Sequence, residues 1–491
     1  MKLRNTLSVL AIALATASCG DFLNLSDPDA ITVPNFYASE DDIQASVFGA
    51  YDAFRDAYTW SANYYQENKA MFLVYPDTGV AGGENAQFYS ATVLPTNTIV
   101  LGHWTRLYKA IDRANVVLKH LDDVTYANAN TKATFEAEMR IVRAVCYYKL
   151  VCDYGAVPVV LTKLETIDEI NAANKRDPKA DVYAAIVADC DFAISSPLVD
   201  LQSAANCGRA CKVAAYALKG KALLQQATDA DFASQKSALL ASAKTALEAA
   251  WSKAPFSDFK TVSYAEAFDV TAQAGAKDNI FQINYVGGSA SSYSSFTSAF
   301  RPDKIDDPTK DTNNTNNYGG TIMPLTVGNA LYDEPGDIRK EQFMATGSYR
   351  STPCYYPLKF VDKTVSNAYY GCNFPVLRYA DVALMLAEVA YHSSDATNAQ
   401  KYLNLVRNRA GLGNSTATGT ALRDAIYTER FRELMYESHA FDDMRRGYSA
   451  AEIVARMASA EFNETDLLLP IPYTQYQLNK EGLYQNPGYA I

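Results

Sequence analysis

Two stretches combine aromatic rings with hydrogen-bonding side chains in a pattern suited to holding a polar ligand. Tyr75, Asp77, Asn85, Phe88, Tyr89 and Asn97 fall in a Tyr-, Asn- and Gly-rich run, residues 59–98, which also carries Trp60 and Tyr64. Tyr293, Phe296, Arg301 and Tyr318 fall in a second, residues 287–320, reading G-G-S-A-S-S-Y-S-S-F-T-S-A-F-R-P and then D-D-P-T-K-D-T-N-N-T-N-N-Y-G-G. A sugar alternates apolar C–H faces with hydroxyl rims, and a buried hydroxyl without a partner costs about 1–3 kcal/mol. A sugar site therefore needs flat rings beside amides, carboxylates or guanidiniums. Tyr75, Phe88, Tyr89, Tyr293, Phe296 and Tyr318 are the expected platforms, with Asp77, Asn85, Asn97 and Arg301 as polar partners. Two competing readings stand beside this one. Each ring could simply pack its own loop, and Tyr, Ser and Asn together also suit a peptide backbone.

Other chemistries find less support. There is no Gly-x-Ser-x-Gly elbow, no His-Glu-x-x-His and no Gly-x-x-x-x-Gly-Lys loop. With 55 acidic residues, carboxylate pairs of glycosidase type can be drawn anywhere and carry no weight without geometry. Asp306 to Asn317 lacks the loop glycine and terminal Glu of an EF-hand. The four His and the scattered Cys show no zinc spacing. No cofactor, metal or catalytic residue is expected, and the protein reads as a non-enzyme. The formal charge of −11 opposes a phosphate-tracking role, so nucleic acid is not an expected partner.

The N-terminus reads as an address. Lys2 and Arg4 precede an apolar run, Leu7 to Ala15, and then Thr16-Ala17-Ser18-Cys19. The run is shorter than the ~20 residues a spanning helix needs. A cysteine behind small residues resembles a bacterial lipobox. The expected division is a signal peptide over 1–18, a lipidated tether over 19–35 beginning at Cys19, and one ligand-binding domain over 36–491. The seven later cysteines, Cys146, Cys152, Cys190, Cys207, Cys211, Cys354 and Cys372, are odd in number and irregular in spacing. Cys354 and Cys372 flank an aromatic loop and are the best-placed pair for a disulfide.

The elements that must position the two stretches are mostly helices. Ser39 with Asp42 three residues on reads as a helix start. Ile43, Val47, Tyr51, Phe54 and Tyr58 then follow on one face. Trp104, Tyr108, Ile111, Asn115 and Leu118 make a second such face, and Phe135, Met139, Val142, Cys146 and Leu150 a third. Further helical patterns cover 179–195, 208–228, 234–250, 376–391, 396–410 and 420–438. Pairs of this length are the unit of tetratricopeptide arrays, whose period is about 34 residues, here interrupted by long insertions. Val157 to Leu161 and Ile280 to Val286 are the expected strands. The fold class is thus predominantly α: tetratricopeptide-like helix pairs embedded in one globular domain, with long loops and a minor β element. A bare helical-repeat scaffold would share the helices without requiring the two aromatic stretches.

Several motifs in order resemble the SusD/RagB family. They are L-Y-K-A-I-D-R-A-N-V-V-L (Leu107 to Leu118) and R-A-V-C-Y-Y-K-L-V-C-D-Y-G-A-V-P-V-V (Arg143 to Val160). F-P-V-L-R-Y-A-D-V-A-L-M-L-A-E-V-A (Phe374 to Ala390) follows, with Asp381 where Glu is more usual. Then come A-Q-K-Y-L-N-L-V-R-N-R-A-G-L (Ala399 to Leu412) and E-R-F-R-E-L-M-Y-E-S-H-A-F-D-D-M-R-R-G (Glu429 to Gly447), closed by the Pro-Ile-Pro to Gln-Asn-Pro-Gly-Tyr ending (Leu467 to Tyr489). The resemblance implies an outer-membrane, cell-surface lipoprotein. It would bind a glycan, or a peptide in RagB-like members, and deliver it to a SusC-like TonB-dependent transporter. It also implies that loops ahead of the early Ala-Asn helix and a mid-chain insertion form the ligand cradle, which here are the two aromatic stretches. The charged residues of these motifs, Arg378, Glu388, Arg407, Arg409, Glu429, Arg430, Glu433, Arg445 and Arg446, read as ion pairs that lock helices together.

Overall fold

The computed structural model describes residues 36–58, 65–73, 83–311, 321–366, 369–457 and 461–489. Cys19, Tyr75, Asp77 and Tyr318 lie outside the described residues.

The first helix, α1 (Glu40–Ala57), starts where the capping signal places it. The Ser39 hydroxyl accepts from the Asp42 N–H, and the Asp42 carboxylate accepts from the Ser39 N–H in return. Its apolar stripe, Ile43, Val47, Ala50 and Phe54, is buried against α2 (Thr98–His120). Next come α3 (Ala129–Tyr154), α4 (Lys179–Ser195), α5 (Lys212–Thr228) and α6 (Lys236–Trp251). Each packs on the one before it, and α6 meets α7 (Tyr379–His392), which is followed by α8 (Ala396–Arg409) and α9 (Gly419–Leu434). This succession is the embedded helix-pair array. Every residue from Ile141 to Tyr154 in α3 and from Tyr379 to Ala390 in α7 is buried, so these two helices form the centre of the core. Trp104 is core, at 4% exposure. No helix among the described residues is long and apolar enough to cross a membrane.

The β component is small. Strand β1 (Asn279–Ile283) pairs antiparallel with β6 (Phe374–Arg378), which runs directly into α7. A second sheet, in the order β2-β4-β5-β3, joins Lys304–Ile305, Met344–Tyr349, Thr352–Pro357 and Met323–Pro324. Two expectations need correction. The helical pattern from 376 begins with strand, because Phe374–Arg378 pairs with β1 before the helix starts. Val157 to Leu161 forms no strand beyond a single bridge from Val157 to Asp177. Side chains take its carbonyls instead: Tyr147 and Asn115 donate to Val160 O, and Arg143 to Leu161 O.

Buried ion pairs lock the C-terminal helices. Arg378 donates to Glu437 through Nε (2.7 Å) and Nη2 (2.8 Å) and meets Asp278 and Glu433 through Nη1. Arg409 reaches the same Asp278 at 2.8 Å, and Arg339 bonds Glu429 at 2.7 Å. Arg430 and Arg446 share Glu388 and Asp443. Burial alone would push the Asp278 carboxyl up, but the Arg409 and Arg378 guanidiniums hold it down to about 2.

The disulfide expectation is not met. All seven described cysteines are free. Cys354 packs with Ile322 and Tyr349, whereas Cys372 belongs to the main core.

Candidate functional site

Residues 286–294, where the second aromatic stretch begins, are zipped onto a neighbouring loop. Val286 N–H donates to Ser292 O, Gly288 N–H to Tyr369 O and Ser294 N–H to Tyr370 O, each at 2.8 Å. The receiving segment is fixed from behind, because Gly371 N–H donates to Asp362 and Gly371 O accepts from Gln273. The two backbones approach so closely that a Cβ on Gly371 would lie 2.7 Å from Gly287 N. The result is a rigid platform carrying Tyr293 and Tyr369, both half-buried, with ring centroids 4.8 Å apart and planes tilted by 54°. Ser289, Ser291 and Ser292 hydroxyls bond one another beside it.

This platform adjoins the point where the first stretch begins. Tyr285 Oη donates to Tyr58 O at 3.2 Å, and the Arg55 guanidinium reaches Ser291 O at 3.5 Å. Below, Phe54 stacks on Phe281 and Tyr58 meets Phe374. Thus the C-terminal end of α1 abuts residues 285–291, where the mid-chain stretch begins.

Among the described residues singled out in the sequence, Tyr293 alone sits on this platform with its ring partly open. Phe296 is 1% exposed, stacked on Phe374 at 4.5 Å, and is a core ring. Arg301 is buried, with Nε donating to Asp311 at 2.9 Å. Phe88 is likewise 1% exposed and packs against Tyr65 at 5.4 Å. Asn97 is buried as the N-cap of α2, accepting from Ile99 and Val100 N–H and donating to Glu84 O and Gln87 Oε1. These four are corrections to the expectation of open platforms and polar partners. Burial beside other rings or at a helix end gives each a structural job, and no free face is left. Asn85 and Tyr89 are half-buried on the short helix Gly83–Ser90, which is anchored onto Tyr65 and the Asn97 cap.

Tyr369 was not singled out beforehand, although its Tyr-Tyr-Gly context next to Cys372 was visible. Nor was Phe48, whose ring is 50% exposed at a cleft of about 370 Å³ beside α1. A larger cleft, about 540 Å³, has Tyr264, Phe268 and Phe343 on its floor. Those rings are 3–7% exposed and pack edge to face on one another, so they offer the cavity little open aromatic surface.

Comparison with known proteins matches residues 21–224 to a family described as starch-binding, associating with the outer membrane, and residues 338–489 to the SusD family. SusD-like protein P25 of Formosa agariphila is 24% identical across the full length of both chains. A SusD superfamily protein from Parabacteroides distasonis superposes with a TM-score of 0.74 at 22% identity, over 92% of this chain and 99% of the other. Surface glycan-binding protein A from Bacteroides thetaiotaomicron, solved in complex with laminarihexaose, gives 0.73 at 20% identity, over 91% and 99%. The two matched models and the full-length alignment with P25 show that the chain belongs to the SusD/RagB family, and the superpositions show that it shares their helical fold.

Proposed function

We propose that the protein is a non-catalytic, lipid-anchored receptor on the outer-membrane surface. It binds a glycan and delivers it to a SusC-like TonB-dependent transporter. The observation that carries this reading is the Tyr293–Tyr369 pair, two partly open rings on a rigid loop platform bordered by Ser hydroxyls. Such a surface offers C–H stacking and hydroxyl exchange together, as an oligosaccharide requires. Family membership and a relative solved with laminarihexaose support the ligand class. Cys19 behind its small-residue run supports the anchor, with 1–18 removed and 19–35 as the tether. Tyr75, Asp77, Asn85, Tyr89 and Tyr318 remain proposed ligand contacts.

The test is titration of a lipid-free form (Cys19→Ser, residues 19–491) with neutral oligosaccharides, followed by product analysis. Binding of one series without cleavage is expected. Peptides co-purifying from native membranes, with no glycan bound, would favour the RagB-like alternative. Turnover of a bound sugar would overturn the non-catalytic assignment.

A further inference from the structure

We propose that the cleft between α1 and residues 205–209 and 282–284 is a second, separate subsite for neutral sugar units. The inference rests on the glycan reading above and extends it to a face that neither aromatic stretch covers. Phe48 supplies a half-exposed ring at the cleft wall, and the Arg209 guanidinium stands over it at 5.8 Å. Asp52 and Arg55, about one and two turns further along α1, pair with each other and line the same cavity. Exposed Asn206 and Asn284 contribute amides from the opposite wall. An aromatic face flanked by carboxylate, guanidinium and amide groups is the set a polyol needs, since each hydroxyl finds both donors and acceptors.

Charge selects a neutral ligand over an acidic one. Arg209 is committed to buried Glu138, with Nη2 donating at 2.7 Å, and Arg55 is committed to Asp52. Both guanidiniums that line the cleft are already neutralised, Arg209 by Glu138 and Arg55 by Asp52, so an anionic sugar would find no spare positive charge there. The volume, about 370 Å³, lies near the lower end of the ~300–1,000 Å³ typical of small-molecule sites, enough for on the order of one or two sugar rings. The wall is also shaped for close approach. A Cβ on Gly208 would fall 2.6 Å from Asn284 Nδ2, so glycine there is what lets the Asn284 amide sit where it does. The cleft is continuous with the Tyr293 platform through Arg55, which reaches Ser291 O, and through Asn284, which directly precedes Tyr285. A longer chain could therefore engage both.

The experiment titrates the lipid-free form with malto-, laminari- and cello-oligosaccharides, from disaccharide to octasaccharide, in wild type, Phe48→Ala and Gly208→Ala. For the series that binds, Phe48→Ala should weaken the longest oligosaccharide about 3- to 10-fold, the worth of one aromatic contact, and Gly208→Ala should weaken it as well by displacing the Asn284 amide. Alkylation of Cys207, whose thiol donates to Asn284 Oδ1 at 3.5 Å, should also slow when that oligosaccharide saturates the wild type. Phe48→Ala removes a half-exposed ring, so a thermal melt close to wild type is expected and checks the fold. Wild-type binding that Phe48→Ala leaves unchanged, with Cys207 equally reactive, would overturn the subsite and spare the glycan reading. A wild type that binds none of the three series would count against both.

Discussion

The rings of Tyr293 and Tyr369 lie 4.8 Å apart, tilted by 54°, on two segments that are distant in sequence and joined by backbone hydrogen bonds from Gly288 and Ser294. Neither ring belongs to the closed core, and the loop behind them is held by Asp362 and Gln273. The loop backbone under both rings is therefore tied down without a ligand, which lowers the ordering cost of binding.

If this pair is the sugar platform, Tyr293→Ala and Tyr369→Ala should each lower affinity for the bound oligosaccharide by about 5- to 30-fold, corresponding to ~1–2 kcal/mol. Thermal midpoints should stay near wild type, because the rings are only half-buried. Calorimetric titration against the wild-type ligand is the measurement. Full affinity in the double variant would remove the platform from the binding surface.

Phe296 and Phe88 predict the opposite pattern. Each ring is 1% exposed and packs on another ring, Phe374 or Tyr65. Truncation to alanine should cost ~3–5 kcal/mol of folding stability. Any loss of ligand affinity should then track the fraction unfolded. Denaturant melts on Phe296→Ala and Phe88→Ala distinguish this from a contact role, in which affinity would fall at full stability.

These contrasts show what the sequence made legible. Signals that act within one or two turns were readable: the Ser39–Asp42 cap, the α1 stripe and the starts of α4 and α8 all stand where local pattern puts them. Inside and outside were not readable for aromatics in polar stretches. Whether Phe88 faces Tyr65 and whether Tyr293 stays partly open depends on partners far along the chain. The Val157 segment failed as a strand for a similar reason, since Arg143, Asn115 and Tyr147 side chains claim its carbonyls. Phe48 carries no signal in the sequence because it lies one residue beyond Val47 of the α1 stripe, where an isolated exposed apolar residue is ordinary. Only the cleft beside it makes it stand out.

Cysteine labelling offers a direct check of the thiol arrangement. Cys207 is the one described cysteine that is partly exposed, while the other six are buried. Burial pushes the Cys211 and Cys354 thiols up to about 12, which leaves little thiolate at neutral pH. In the Cys19→Ser form, maleimide should modify Cys207 quickly and the rest only after denaturation, with all seven reacting without reductant. Recovery of five instead of seven would mean that Cys354 and Cys372 are bridged after all.

Asp278 makes the acid limb of stability a test of the buried ion-pair cluster. Its carboxyl, ordinarily near 3.8, is held at about 2 by Arg409 and Arg378 against the upward push of burial. A folded-state value below the unfolded one stabilises the fold at pH values above the unfolded value. That contribution is lost as pH falls through the folded one, so the window runs from about pH 4 to pH 2. Its size is on the order of 2 kcal/mol. Asp278→Asn removes the titrating group and leaves Arg378 and Arg409 short of a carboxylate. At neutral pH the variant should therefore be less stable by ~3–5 kcal/mol. Denaturant midpoints measured from pH 6 down to pH 2 should show the gap between wild type and variant narrowing below pH 4, because protonation does to the wild type what the substitution has already done. Parallel acid limbs would mean that Asp278 does not titrate in this window, and that the cluster draws its stability from Glu433 and Glu437, which also face Arg378.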